Sequence, residues 1–546
     1  MSLFKKKYIP LAIVGVITFV CMLWLFWVSI LPTTQRIVPQ TGEPATFLIT
    51  YFWLLAIALI IALPLLYYMI FMRKAKMQNI FLASAFIFGI LFMFVYLPFA
   101  YNDETHAHIP GTYFRASALL ARGREGSFVV RDVHGHRIGY WRHYEDWWHP
   151  TGISYPFARY RSTLQGYYFV YDSFFSLNNR EAYQGKAVRA RLWGQWIHYA
   201  PQVLGVASGK LLGLGSVATL YLGRIFALAA FAGIVYWAIS ITKFKSLFVL
   251  LGISPAILVS AVSFSYDTVI ISTGFLFTAM VLHMTFSQES KISTIQLIIL
   301  LALAAIIAPG KYIYFPLLFL VLLIPRERFH RDEKFFSIAC VIIAGGITIA
   351  ISGGAIQALQ RMFVNVAQEA SVQPGIPTTG LGYLSYSPQR FFAVFTHTFL
   401  YQAGNIFMPL RDWCTLPRPL WNVFVFPIWV HIAIGFMLLA SVSPCIDDDS
   451  VISISLLQKS FIAIIVIAIY SAGILASMDW LGEGRFVIGI FLQPRYFLPI
   501  VPLLVVPFYN VFKRVKANDG LLVFILCVIN AYSVMFVFTR NIFANW

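Results

Sequence analysis

The strongest constraint on this chain is a repeated interruption. About thirteen times it runs for roughly twenty residues with almost no charge, then breaks at a short polar or basic stretch. A helix rising 1.5 Å per residue needs about twenty apolar residues to cross the hydrocarbon layer. No water satisfies a free N–H or C=O there, so only helices and closed barrels can span it. The strand-like alternation of a barrel is missing. The fold class expected is therefore an all-α polytopic membrane protein of about 13 transmembrane helices. The apolar runs fall at 8–31, 47–71, 79–100, 217–241, 246–264, 268–286, 293–309, 313–325, 335–353, 420–442, 458–477, 496–512 and 519–539. The run at 313–325 is short, which predicts a tilted, broken or partly re-entrant segment.

Charge orients these runs. Only 11% of the 546 residues are charged and 59% are hydrophobic, whereas a soluble domain carries about 25% charged residues. The net charge of +18 is read as topology. Lys5, Lys6 and Lys7 precede the first run, and Arg73, Lys74 and Lys76 follow the second. Further basic groups are Lys243 with Lys245; Arg326, Arg328, Arg331 and Lys334; and Lys513, Arg514 and Lys516. The positive-inside rule puts these groups and the N-terminus in the cytoplasm, with the first run retained as a helix and Trp546 outside. Asp447, Asp448 and Asp449 also fall inside, where acidic residues weigh little. Basic residues facing anionic lipid account for the charge without a nucleic-acid partner. Cys21, Cys340, Cys414, Cys445 and Cys527 are scattered without metal-ligand spacing and read as packing residues.

This topology divides the chain into two N-terminal transmembrane helices (1–77), a membrane core (78–353) that includes a large extracytoplasmic region at 102–216, a second extracytoplasmic loop (354–419), and C-terminal transmembrane helices (420–546). Within the first outer region, Phe128 to Tyr140 predicts a β-hairpin turning near Gly135. The mixed basic, aromatic and aliphatic stretch from Arg180 to Leu212 predicts amphipathic helices in the interface.

Four separated stretches then arrive at the same face. They are Asn102-Asp103-Glu104, with His106 and His108 close behind; Ser263-Phe264-Ser265-Tyr266-Asp267; Pro309-Gly310-Lys311-Tyr312; and Gln493-Pro494-Arg495-Tyr496. Each puts an ionisable residue at an outer helix end, where charge is costly and usually functional. A carboxylate, Asp103 or Glu104, supplies a general base. Lys311 and Arg495 supply a phosphate grip, the arginine with a planar fork. Tyr312, Tyr496 and other aromatic residues offer faces to sugar rings. Each residue also has a plainer reading. Asp103 and Glu104 would be solvated loop residues or a helix cap, and Asp267 an N-cap. Lys311 and Arg495 would snorkel to headgroups, and His106 and His108 would be ordinary polar surface.

A base, a phosphate grip and an aromatic cleft at a bilayer edge describe a transferase acting on a lipid-linked phosphosugar. The Asp-Glu pair at the start of the first large outer loop resembles the GT-C superfamily of lipid-phosphosugar-dependent glycosyltransferases. More narrowly, Asp103-Glu104, Ser265-Tyr266-Asp267, Lys311-Tyr312 with Pro316, and Gln493-Pro494-Arg495-Tyr496-Phe497-Leu498-Pro499 resemble a bacterial family of predicted membrane proteins, domain of unknown function 2142. Pro494 stands where that family tends to have glycine. The resemblance covers roughly 80–540, and the two leading spans look like an addition. It implies a GT-C-like helical bundle in the bacterial plasma (inner) membrane, with the active site on the extracytoplasmic face. The donor would be a polyprenyl-phosphate-linked sugar, and the acceptor a cell-envelope glycan, lipid or protein. Asp103 or Glu104 would be catalytic. His106, His108, Asp267, Lys311, Tyr312, Arg495 and Tyr496 would bind substrate, and direct displacement would invert the anomeric centre. Some members of the superfamily use a divalent metal such as magnesium or manganese, so the resemblance leaves a metal open; the histidine spacing does not itself make a helical metal site.

Three other readings compete. A polysaccharide polymerase or ligase would rely on outer arginines such as Arg137, Arg142, Arg159, Arg161, Arg189 and Arg191. A lipid-linked sugar transporter or flippase would need charges buried at mid-membrane, and no internal repeat is visible. A non-catalytic envelope scaffold would keep its function without Asp103.

Overall fold

The computed structural model describes residues 2–38, 42–98, 108–120, 129–131, 137–140, 164–175, 196–287, 291–329, 345, 387–407, 427–443, 452–480, 494–509, 511 and 518–543. Seven helices among them are long and apolar enough to cross a membrane. They are α1 (Tyr8–Thr33), α2 (Phe47–Met72), α3 (Met77–Val95), the greater part of α7 (Ser216–Ile241), α10 (Asp267–Phe286), the first 21 residues of α14 (Leu456–Trp480), and nearly all of α16 (Asp519–Phe543). Shorter apolar helices run at Thr294–Gly310 (α11), Ile313–Leu323, Ile428–Ser441 (α13) and Arg495–Phe508. Smaller helices complete the described chain: α4 (Ile109–Leu119), α5 (Leu164–Phe175), α6 (Trp196–Leu211), α8 (Lys245–Gly252), α9 (Pro255–Ala261), α12 (Pro388–Phe407) and α15 (Val501–Val505). The chain is a multi-pass membrane protein.

Three expected spans differ; one, 496–512, is wound over its described part as a 3-10 helix (Pro494–Ile500), α15 and a second 3-10 helix (Val506–Phe508). The run at 246–264 is not one helix but α8 and α9, parted at Ile253 and Ser254. Pro255 forces this break. It lacks an N–H, sits at the first position of the new helix, and pushes Ser254 into extended backbone (ψ 141°). The short run at 313–325 winds as a 3-10 helix, Tyr312–Leu323, with Pro316 inside it. The run at 335–353 lies outside the described residues apart from Gly345. The expected hairpin is present as strands β1 (Val129–Arg131) and β2 (Arg137–Tyr140), which pair antiparallel with Val129 opposite Tyr140. Its turn lies outside the described residues.

Burial grades the bundle from centre to rim. In the most apolar window of α10, 89% of residues are buried, against 11% in α1. The first is therefore the most enclosed of the seven and the second the most exposed. Small residues let the central helices approach. A Cβ on Gly205 would stand 2.6 Å from the Leu222 carbonyl oxygen, and one on Gly274 would stand 3.0 Å from Pro499. That first contact seats α6 against α7 as a buried part of the bundle, with His198, Tyr199, Gln202 and Val206 inside. The amphipathic helix expected within 180–212 is present in this half, with Ile197, Leu204 and Leu211 exposed opposite the buried side; 180–195 lies outside the described residues. The leading spans are integral too: α2 packs on α3, α5 and α16.

The two ends of the bundle differ chemically. At one end the Tyr67 and Phe71 rings meet Phe524. There Ser246 donates to Asp519 at 2.5 Å, and Lys459 donates to the Tyr509 carbonyl at 3.0 Å. Arg73, Lys74, Lys76, Lys243 and Lys245 adjoin these groups in the chain. At the opposite end the chain leaves α3, turns into α10 and passes from α11 into the 3-10 helix.

Candidate functional site

The exit of α3 is built with unusual care. The last carbonyls of a helix have no partner within it, and here side chains from four other helices supply them. The Tyr51 hydroxyl of α2 donates to Phe94 O (2.6 Å), and the Tyr167 hydroxyl of α5 donates to Val95 O (2.7 Å). Arg224, 1% exposed inside α7, donates from Nη1 to Tyr96 O (2.6 Å) and from Nη2 to Leu97 O (3.1 Å). Asn541 of α16 donates to the Tyr167 hydroxyl (3.1 Å) and reaches Val95 O at 3.5 Å. The residues expected to be catalytic, Asp103 and Glu104, follow a few positions later in the chain. With His106 they lie outside the described residues.

A serine ladder sets the turn into α10. The Ser263 hydroxyl donates to Ser260 O (2.7 Å) and accepts from the Ser265 N–H (3.2 Å). The Ser265 hydroxyl accepts from the Asp267 N–H (3.1 Å). Gln202 on α6 holds the turn by donating to Ser265 O (3.1 Å). The first N–H of α10 is thus met by serine, and Asp267 makes no cap with its side chain. The N-cap reading of Asp267 is corrected: its carboxylate is left for other partners.

Those partners are Lys311 and Arg495. Lys311 Nζ donates to Asp267 Oδ1 at 2.5 Å, and Arg495 Nε stands 3.7 Å from Oδ2. The side chains of Asp267 and Arg495 are each 5% exposed and that of Lys311 is 12%. Neither cation snorkels; both turn inward, correcting that reading. Lys311 also sits over two rings, 3.9 Å from the Tyr496 centroid and 4.9 Å from that of Tyr266. Arg495 lies 5.6 Å from the same Tyr496 ring. Burial first, then the neighbouring Asp267 charge, pushes the Tyr266 phenol well above its ordinary range, so it stays neutral. The Tyr314 hydroxyl donates to Tyr496 O (2.8 Å) and ties the two 3-10 segments, Tyr312–Leu323 and Pro494–Ile500, together.

His108 joins this cluster from the entry to α4. Its Nδ1 shares a hydrogen bond of 2.6 Å with the Tyr199 hydroxyl, and its ring lies edge-on to Tyr266 at 5.3 Å. It is 3% exposed, which corrects the surface reading. On the far side of Tyr199, Arg115 lies 4.4 Å from the ring centroid. Tyr312 follows Lys311 directly and opens its 3-10 helix.

Five residues singled out in separate parts of the sequence therefore meet: His108, Asp267, Lys311, Arg495 and Tyr496. Sequence reasoning missed Tyr199, Arg115 and the structural arginine Arg224. Only Arg224 left a clear signal, as a lone charge inside an apolar run. Among the described residues no three His, Cys, Asp or Glu side chains gather to hold a metal ion. The Asp267 carboxylate already serves two cations.

Chemically, the cluster is a buried anion already matched to two cations, walled by tyrosine faces at one end of the bundle. Neither a curated protein nor a solved structure matches the chain. Residues 195–504 match the family described as "Predicted membrane protein (DUF2142)", and they include Tyr199, Asp267, Lys311, Arg495 and Tyr496. That match spans more than half of the chain, which belongs to this family of predicted membrane proteins.

Proposed function

We propose that this protein is a membrane glycosyltransferase of GT-C-like architecture. It moves a sugar from a polyprenyl-phosphate donor to a cell-envelope glycan, lipid or protein acceptor at the extracytoplasmic face of a bacterial plasma membrane. The observation that carries the reading is the convergence of Lys311 and Arg495, from distant parts of the chain, on Asp267 and the Tyr496 ring, with Lys311 also over Tyr266. Two cations beside aromatic faces suit a phosphate joined to a sugar. The clustering of Arg73, Lys74, Lys76, Lys243 and Lys245 toward the opposite end supports an outward-facing site. Asp267, Lys311 and Arg495 stand at helix ends, which suits a transferase site at a membrane surface better than a transport path.

In this reading Asp103 or Glu104 accepts the proton of the acceptor hydroxyl. The acceptor oxygen forms the new bond to the anomeric carbon as that carbon's bond to the phosphate oxygen breaks. The electron pair leaves with the phosphate, giving polyprenyl phosphate, and in-line attack inverts the centre. Lys311 and Arg495 meet the negative charge that grows on the leaving oxygen. His108 and Tyr199 stand beside the donor, and His106 and Tyr312 belong to the same substrate site.

The test is transfer from a panel of radiolabelled polyprenyl-phosphate sugars to envelope glycans, with purified protein in nanodiscs, beside Asp103→Asn and Glu104→Gln. Loss of transfer in one folded variant is expected and names the base. Full activity in both removes the carboxylates from the mechanism and favours the arginine-based polymerase or ligase.

A further inference from the structure

The ion cluster poses a question that a phosphate grip alone does not answer: two cations meant for a ligand are already occupied. Lys311 spends its shortest contact, 2.5 Å, on Asp267. Arg495 stands off at 3.7 Å, beyond hydrogen-bond length from the same carboxylate. Two positive charges and one negative leave the trio with a net charge of one. The carboxylate is not needed to cap α10, because the Ser265 hydroxyl already serves its first N–H. Nor are the cations held by it alone. Lys311 lies over Tyr496 and Tyr266, and Arg495 lies beside Tyr496. Cation–π contact attracts a cation independently of its anion.

We propose that Asp267 is a built-in stand-in for the ligand's phosphate. It neutralises Lys311 while the site is empty and yields that cation to the phosphate when donor binds. Asp267 is thus a positioning and specificity residue and not a base. This inference rests on the reading of the cluster as a phosphate site.

Three consequences follow from the charge count. An empty pair of cations in a low-dielectric site is costly, and Asp267 spares the resting protein that cost. A phosphate with about one to two negative charges comes closer to cancelling the residual charge of the trio than a diphosphate, which overshoots it further, so Asp267 selects against the more highly charged ligand. After transfer the carboxylate competes with the product phosphate for Lys311 and speeds its release.

The experiment measures binding of farnesyl phosphate and farnesyl diphosphate to the full-length protein in nanodiscs, comparing wild type with Asp267→Asn and Lys311→Met. The proposal expects Asp267→Asn to bind both probes at least tenfold more tightly, with the larger gain for the diphosphate, and to release them more slowly. It also expects Lys311→Met to bind both at least tenfold more weakly. Weaker or unchanged binding in Asp267→Asn beside weakened binding in Lys311→Met would overturn the stand-in role and leave the phosphate site intact. If wild type and Lys311→Met bind alike, or neither binds, the phosphate reading falls and takes this inference with it. Should Asp267→Asn not fold, infrared difference spectra of the wild type decide. A shift of a carboxylate stretch on adding farnesyl phosphate, altered in Asp267→Glu, supports exchange; a silent carboxylate region refutes it.

Discussion

Replacing Arg224 with methionine keeps the buried aliphatic stem and removes only the guanidinium, so the loss can be worked bond by bond. Arg224 makes two hydrogen bonds, 2.6 Å to Tyr96 O and 3.1 Å to Leu97 O. Hydrogen bonds between membrane helices are worth about 0.6 kcal/mol on average and up to about 1.7. Two of them sum to roughly 1–3 kcal/mol. The upper half of that range applies here, because both carbonyls belong to buried residues at the exit of α3, Tyr96 (3% exposed) and Leu97 (0% exposed). Tyr51→Phe gives up one such bond, to Phe94 O, and Tyr167→Phe gives up its bond to Val95 O and the one it accepts from Asn541. The expected order of destabilisation is Arg224→Met, then Tyr167→Phe, then Tyr51→Phe, read from reversible unfolding by SDS in bicelles. A change below about 0.5 kcal/mol for Arg224→Met, or a reversed order, would refute the claim that these side chains hold the exit of α3.

Further predictions follow from the packing and the charges. Gly205→Ala should cost roughly 1–3 kcal/mol in the same unfolding assay, because its Cβ meets the backbone of Leu222 and Gly223, which cannot yield. Gly233→Ala, with nothing within 4 Å of the new atom, should be neutral or stabilising by about 0.4–1 kcal/mol. A double-mutant cycle of Asp267→Asn and Lys311→Met should give a coupling of about 1–3 kcal/mol; additivity would mean that the 2.5 Å contact carries no energy. His198 donates from Nε2 to Ile306 O at 2.7 Å. Burial, helped by Arg115, lowers its pKa from 6.5 although the bond to Ile306 pulls the other way. The unfolded chain then binds the proton more readily than the folded one. The contribution of His198 is therefore complete above about 6.5 and is lost as the pH falls below it. Wild-type stability should drop on acidification more steeply than that of His198→Gln; parallel pH profiles would contradict this.

The sequence carried much of this arrangement in readable form, for particular reasons. Asp267, Lys311 and Arg495 each stand where an apolar run begins or ends, so charge periodicity alone put them on one face, and the bundle then brings them together. His108 was legible as a polar residue just beyond α3, but its burial was not, because that depends on Tyr199 and Tyr266 closing over it. Tyr199 itself was hidden. Its helix has exposed Ile197, Leu204 and Leu211 and looks interfacial, and only the contact of Gly205 with α7 shows that its other side is buried. Pro255 did mark the break between α8 and α9, yet the surrounding run is apolar enough to read as one span. The role of Arg224 was not legible, because its partners, the carbonyls of Tyr96 and Leu97, lie more than a hundred residues away in the chain.

On the proposed function, Lys311 and Arg495 hold a phosphate that leaves as a sugar is transferred. The most direct measurement is ³¹P NMR of the protein in nanodiscs with a polyprenyl-phosphate sugar and its acceptor. One polyprenyl phosphate should appear for each sugar transferred, and both signals should vanish together in folded Lys311→Met and Arg495→Met. Transfer that persists in both variants, or lipid that crosses vesicles with its sugar still attached, would contradict it.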